Sequence, residues 1–418
     1  EFAAQMKILE DNGIDVFVVP GNHDINNPEA FSFEGDQTVP VPTVDPVEFK
    51  TIHGNFGYEE AIGEDSGSLS YVAEPVPGVC LIGMDSAIYD ANEGHSETGG
   101  AFSEATLDWI VSQTEAARAQ GKTVIGFLHH GVLEHYTGQS VFYADYVIQN
   151  WSDVSQSLAE AGMQIVFTGH YHAHDVTKRT LEDDEGIIFD VETGSLVTYP
   201  NPYRIVSADA EGLFDISSGY ITEINYDTGD MTFPEYAENY LYNGLLGLAM
   251  VQLQMATEDG GFGLDAAQAE EITPMAADAF MAHYAGDEMP TMEQLATING
   301  YATSDDPRLQ QVGMALGSLW TDLPPADVTL TAETEGPGAD SDGDGYVDTA
   351  DNCPNTANAS QADSDGDGAG DACDGCINDA LKNEPGQCGC GAADTDSDMD
   401  GIADCLDDST ESELVLLG

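Results

Sequence analysis

Cations are what this sequence has least of. Its 418 residues carry 9 lysines and arginines against 77 aspartates and glutamates, a formal net charge of -68 at pH 7. Binding a polyanion requires Lys and Arg to displace its counterions, so the imbalance argues against nucleic acid and anionic membranes as main partners. Long apolar runs are missing too: none approaches the roughly 18 residues of a membrane-spanning helix. Cysteine is nearly absent before residue 350, where Cys80 stands alone in the strand-like VCLIGM and reads as a buried free thiol. The other six cysteines crowd into the acidic stretch that follows. That crowding reads as a disulfide framework and hence an oxidising compartment. What is plentiful is core material. With 41% hydrophobic residues, the chain can bury the interiors of two or three domains. The acidic surplus outside the C-terminal stretch suits divalent-cation binding or a salty medium, where screening weakens self-repulsion, and equally suits a merely soluble acidic protein.

Three apolar runs end in polar tips. Val16 to Val19 leads through Pro20 and Gly21 into Asn22, His23 and Asp24. Thr123 to Leu128 leads into His129, His130 and Gly131, and Gln164 to Thr168 into Gly169, His170, Tyr171 and His172. Each reads as a buried strand delivering side chains to a loop. In open α/β sheets, ligands bind beyond the carboxyl ends of such strands, so the three tips are expected to meet at one site.

GNHD, a strand into HH, and GHYH, in that order, resemble the calcineurin-like metallophosphoesterases, dinuclear metal hydrolases of phosphate esters. The resemblance covers about residues 1 to 205. It implies Asn22, His129 and His170 as ligands of one ion and His172 as ligand of the other, with His23 facing the substrate phosphate and Asp24 steadying it. The ions implied are two divalent transition metals, Mn, Fe or Zn. Such a pair, roughly 3.5 to 4 Å apart, polarises a phosphoryl oxygen, activates water and stabilises the leaving oxygen. The family's Asp-x-His and Gly-Asp-x-x-Asp motifs precede its GNHD. Here the chain begins at Glu1, so it reads as a piece without its N-terminal strands, inactive without their ligands.

Adjacent side chains in an extended segment point opposite ways, so one of His129 and His130 takes the metal. His129, first after the strand, is the choice, and His130 is expected to orient a ligand or touch substrate. His174 and Asp175 support the site or face solvent. His53 and His95 are expected at the surface, and His135 and His283, without a motif, are not expected to be ligands. Arg204 either meets an anionic substrate or pairs with carboxylates.

Phe2 to Asn12 has helical spacing and ends at Gly13; Asn26 to Thr51 reads as a long loop. Leu69 to Ala73 and Val79 to Met84 read as strands. Ser103 is expected to cap a helix reaching about Gln120, and Asp153 one ending at Gly162. Alternating helices and strands give an α/β fold. The family resemblance sharpens this to a β-sandwich flanked by helices. Thr193 to Pro202 looks like the family's closing strand and loop. From residue 236, Tyr236 to Met255, Leu264 to Tyr284 and Asp306 to Leu323 read as helices packed on the catalytic part.

Near the C-terminus, Asp340, Asp342, Asp344, Gly345, Asp348 and Asp351 occupy positions 1, 3, 5, 6, 9 and 12 of a calcium loop. Asp363, Asp365, Asp367, Gly368, Asp371 and Asp374 repeat the pattern, as do Asp396, Asp398, Asp400, Gly401, Asp404 and Asp407. Cys, Pro and Asn stand where an EF-hand would place helices. DNCP and GDACD resemble thrombospondin type 3 repeats, which implies a Cys353 to Cys373 disulfide. Cys376, Cys388, Cys390 and Cys405 form two more in a pairing left open, with a zinc site at Cys388 and Cys390 as the lesser alternative.

The domains expected are a catalytic domain over 1–235, a helical segment over 236–330, a linker over 331–339 and calcium repeats over 340–410. The function expected is hydrolysis of phosphomonoesters or phosphodiesters by a secreted bacterial or cell-surface protein, with an extracellular partner for the calcium repeats. The alternative is a calcium-dependent adhesion protein whose phosphoesterase-like domain does no chemistry.

Overall fold

A computed structural model describes residues 2–33, 37–181, 186–208, 212–286, 288–334, 341–348, 350–395 and 402–406. The chain divides into two compact units, residues 1–117 with 123–336, and residues 118–122 with 337–418.

The first unit is built on a seven-stranded sheet. Its strands are β1 (Gly63–Glu64), β2 (Tyr71–Val76), β3 (Val79–Met84), β4 (Thr123–Leu128), β5 (Ile165–Thr168), β6 (Val176–Thr180) and β7 (Ile187–Glu192), in the order β1-β2-β3-β4-β5-β7-β6. The centre, β3-β4-β5-β7, is parallel. Both edges are antiparallel. Helices α1 (Phe2–Glu10) and α2 (Pro46–Ile52) precede the sheet; α3 (Glu104–Ala119) and α4 (Trp151–Glu160) cross over to β4 and β5. One face of the sheet buries Ile82, Val124 and Val166 against Ile110 of α3 and Leu158 of α4. The other face buries Ile165, Val176 and Phe189 against Phe214, Ile216 and Ala332 of a second, antiparallel sheet. That sheet comprises β8 (Pro202–Ala208), β9 (Leu213–Tyr220) and β10 (Thr329–Glu333), with β9 in the middle. The result is the α/β two-sheet sandwich flanked by helices expected from the sequence.

Four helices stand between β9 and β10: α5 (Phe233–Gln254), α6 (Ala266–Ala285), α7 (Met292–Ala302) and α8 (Pro307–Leu319). Their apolar faces share a core with Tyr136, Tyr171 and Ala173. Capping boxes start α5 at Thr232, α6 at Asp265 and α7 at Thr291. Among the described residues no helix is long and apolar enough to cross a membrane.

Several expectations need correcting. Val16 to Val19 is extended but joins no sheet: the Val18 amide donates to the Phe56 carbonyl and its own carbonyl accepts from the Tyr71 hydroxyl, so turn and side-chain groups take the place of a neighbouring strand. Asp153 does not cap α4. Asn150 takes a left-handed conformation (φ 56) and starts the helix earlier, leaving Asp153 in the first turn. The expected long loop contains α2, started by a capping box between Asp45 and Glu48 with Pro46 behind it. Thr329–Glu333, partly assigned to a linker, pairs with β9 as β10.

The second unit is stapled by three disulfides, Cys353–Cys373, Cys376–Cys390 and Cys388–Cys405. The last two engage Cys388 and Cys390 and so exclude the zinc alternative. Cys80, on β3, is buried and free.

Candidate metal centre

The loops after β4 and β5 and the GNHD turn open onto one cleft of about 340 Å³ lined by Asn22, His23, Asp24, His129, His170 and His172, with Thr98, Tyr146 and Tyr284 beside them. Asn22 is buried, and its Oδ1 lies 3.0 Å from His129 Nε2. Two ligand atoms each about 2.1 Å from a common ion, at right angles to each other, stand about 3 Å apart, so this pair already has the spacing of a shared ion. Gly21 makes room for it: a Cβ there would lie 3.0 Å from His129 Cε1.

His129, His130 and His170 each bring a ring nitrogen within 4.8 Å of the others. His130, however, has none to spare. A carbonyl only accepts, so His130 Nε2 donates to Thr98 O at 3.0 Å, and Nδ1 then accepts from the Ser86 hydroxyl at 2.8 Å. His170 Nε2 donates to the Asp145 carbonyl at 3.2 Å, which leaves Nδ1 with its lone pair. Tyr146 stacks on this ring at 4.9 Å.

The GHYH loop alternates. Tyr171 is buried and its hydroxyl meets that of Tyr136 at 3.1 Å, while His170 (φ 75) and His172 (φ 65) both adopt left-handed backbone. Such conformations cost about 1–3 kcal/mol each and persist where the surroundings impose them. Here they place two imidazoles on the cleft, on either side of the buried tyrosine. His172 Nδ1 lies 3.1 Å from Thr198 Oγ1.

Burial keeps these rings neutral. It pushes His129 down to about 3, with help from the charges of His130, His172 and His23. His170 falls to about 2 through burial and then its histidine neighbours, and His130 to about 4 through burial. His172 is lowered by burial. A neutral imidazole is the form that binds metal, so the donor set fits divalent transition ions. Asn22, His129, His170 and His172 would hold them.

His23 and Asp24 are exposed at the rim. Asp24 accepts the Gly21 amide at 2.8 Å and so fixes the turn, where the sequence suggested that it steadies His23. His174 is buried, not solvent-facing. Its Nε2 lies 2.6 Å from Ser218 Oγ, which ties the end of the loop to β9, and burial with the Arg204 charge lowers its pKa to about 3. Arg204 does not reach the cleft: it donates to the backbone carbonyls of Asp327 (2.5 Å), Glu192 (2.8 Å) and Asp175 (3.4 Å).

Sequence reading missed the scaffold behind the cleft. Asp190 of β7 accepts the amides of Val132 (2.5 Å) and Leu133 (2.9 Å) and the Thr168 hydroxyl (2.5 Å), clamping the loop after β4 to the end of β5. His135, not expected to be a ligand, is fully buried and meets Asp175 at 2.9 Å, Glu192 at 3.3 Å and Asp190 at 3.5 Å. Burial opposes its charge, but the three carboxylates outweigh burial and hold its pKa well above the usual value. A clue lay in the alternation of Phe189, Asp190, Val191 and Glu192, acids within an otherwise apolar strand. Tyr146, Thr98 and Thr198 carry no motif.

In the second unit, carboxylates of Asp342, Asp344 and Asp351 converge within 4.8 Å, and so do those of Asp363, Asp365 and Asp367. The two repeats match in detail. Asp348 accepts the amide and hydroxyl of Ser341, and Asp371 those of Ser364. Gly345 (φ 98) and Gly368 (φ 96) turn both loops. Asp374 is buried and its Oδ1 accepts the Cys376 amide at 2.7 Å. Asp404 of the third repeat lies 3.1 Å from the Thr395 hydroxyl. Asp340, Asp396, Asp398, Asp400 and Asp407 lie outside the described residues.

The family model of the calcineurin-like phosphoesterases matches residues 1–174. Among solved structures, a dimetal phosphatase from Danio rerio is similar at 14% identity, covering 51% of this chain and 72% of that one with a TM-score of 0.34. No curated protein matches the sequence.

Proposed function

We propose that the chain hydrolyses phosphomonoesters or phosphodiesters at the cleft of Asn22, His129, His170 and His172, with two divalent transition ions as cofactors. The observation that carries this reading is the 3.0 Å approach of Asn22 Oδ1 to His129 Nε2 beside the lone pair of His170 Nδ1, the two histidines standing just beyond the parallel strands β4 and β5. The ions, when bound, supply charge to a phosphoryl oxygen and to the attacking water. The chain's own residues do the rest. His130, held at both nitrogens, stands against His129 with ring centroids 5.0 Å apart and limits its movement. Asp24 fixes the turn that carries Asn22. His23, exposed at the rim, is placed to give a proton to the leaving oxygen.

The aspartate triads of the second unit support calcium binding, and the disulfides beside them suit a secreted or cell-surface protein with an extracellular partner. A non-catalytic adhesion protein is the competing reading, favoured by the same triads.

The decisive assay is hydrolysis of p-nitrophenyl phosphate and bis-p-nitrophenyl phosphate by the protein, with Mn²⁺ or Zn²⁺. Metal-dependent turnover that falls more than about 100-fold in His170→Ala is expected. Turnover that His170→Ala leaves intact, or none with either ion, would sink the enzyme reading.

A further inference from the structure

Away from the cleft, Asp175, His283 and Glu288 bring their ligand atoms within 4.8 Å of one another, and Glu288 belongs equally to a second such group with Asp322 and Asp327. Asp175, His283, Glu288 and Asp327 are all at most 4% exposed. We propose that this cluster is a second metal site, a buried structural one that binds a single divalent transition ion and fastens the end of α6 to the strand that follows the GHYH loop.

The orientation of each group supports this. Asp175 Oδ1 accepts from His135 Nδ1 at 2.9 Å and from the Thr177 hydroxyl at 3.3 Å, which leaves Oδ2 facing His283 Nδ1 at 3.9 Å. Two atoms each about 2.1 Å from one ion stand roughly 3 to 4 Å apart, so this spacing needs no rearrangement. Glu288 Oε1 touches His283 Nδ1 at 2.6 Å, and its Oε2 is buried without a hydrogen-bond partner among the described residues. A buried carboxylate oxygen with nothing to accept is costly, and an ion would satisfy it. The backbone is shaped to match. Gly286 (φ +82) lies so close that a Cβ would stand 2.4 Å from the His174 carbonyl oxygen. Carboxylates with one imidazole suit Zn²⁺ or Mn²⁺ better than calcium, which takes oxygen ligands throughout. The alternative is an ion pair of His283 with Glu288 and no metal.

The test uses the full chain with His129→Ala and His170→Ala, so that failure of the phosphoesterase reading does not affect the result. The chain is stripped with a chelator, its C-terminal loops are filled with excess Ca²⁺, and it is then dialysed against Zn²⁺ or, in parallel, Mn²⁺. One Zn²⁺ or Mn²⁺ per chain is expected, with a rise in Tm on loading. Glu288→Gln should lower the affinity at least tenfold and remove the rise, and His283→Gln, which keeps the side chain's bulk and polarity, should do the same. Should Glu288→Gln fail to fold, His283→Gln and the Tm response of the parent decide. No bound ion in the parent, or unchanged binding in a folded variant, overturns the proposal in favour of the ion pair.

Discussion

Gly100 is a place where one methyl group tests the geometry behind the cleft. A Cβ there would lie 2.4 Å from His130 Nδ1 and 2.5 Å from its Cγ, distances at which something must move. The ring is poorly able to move, because Ser86 holds Nδ1 at 2.8 Å and the Thr98 carbonyl holds Nε2 at 3.0 Å. Gly100→Ala therefore faces overpacking, at about 1–3 kcal/mol, and with it the loss of one buried hydrogen bond, at about 1–3 kcal/mol more. A total of about 2–6 kcal/mol is expected, read from urea unfolding followed by tryptophan fluorescence. The cause is isolated by a double-mutant cycle. With His130→Ala the imidazole is gone, and Gly100→Ala should then cost less than about 1 kcal/mol, because the methyl enters the vacated space. An equal cost in both backgrounds would refute the contact as the cause and place the effect in the backbone at residue 100.

Other expectations follow from the same contacts. Folded His130 and His129 are held at about 4 and about 3, below the ordinary 6.5, so the unfolded chain takes up protons first as pH falls. Stability is thus full above pH 6.5 and drops between 6.5 and 4, by up to about 1.4 kcal/mol per pH unit for each histidine; a Tm profile that stays flat from pH 7 to 4 would contradict this. Arg204→Met should cost about 3 kcal/mol, since three main-chain carbonyls lose their donor, and should leave phosphate inhibition of any hydrolysis unchanged. In the second unit, Asp367→Ala should remove one calcium ion per chain by equilibrium dialysis, whereas equal binding by the variant and the parent would count against the loop as a calcium site.

The histidines of the cleft were legible in the sequence because each follows an apolar run that becomes a strand or its extended equivalent, and β3 and β4 keep the bounds that the pattern suggested. The failures have physical causes. Val16 to Val19 has the composition of a central strand, yet composition cannot say whether a neighbour is there to complete the ladder. The strands β6 and β7 were hidden because Lys178, Arg179, Asp190 and Glu192 interrupt the apolar pattern; the two acids face a buried histidine and loop amides, which no local rule anticipates. No motif marks His135 or His283 for the same reason. Their partners come from residues 40 or more positions away or from the turn after the helix, so only the fold brings the groups together.

The shortage of cations explains why the interior relies on other groups to balance its acids. Of the nine Lys and Arg, none is fully buried, and Arg204 spends its guanidinium on carbonyls rather than on carboxylates. Asp85 shows one solution: burial raises it to about 6, while the Leu69 amide and the Tyr89 hydroxyl bond its oxygens and partly offset the rise. Asp190 shows another, with two amides and a hydroxyl on its carboxylate. Asp175 and Glu288 have fewer such donors. Asp175 Oδ2 faces a histidine 3.9 Å away and Glu288 Oε2 has no hydrogen-bond partner among the described residues, so neutral donors there do not complete this pocket. A chain with few lysines and arginines to spend must find that charge elsewhere, and a divalent ion delivers two units of it at one point. The same reasoning connects the interior to the aspartate loops of the C-terminal unit, where carboxylates gather just as closely with little basic charge among them.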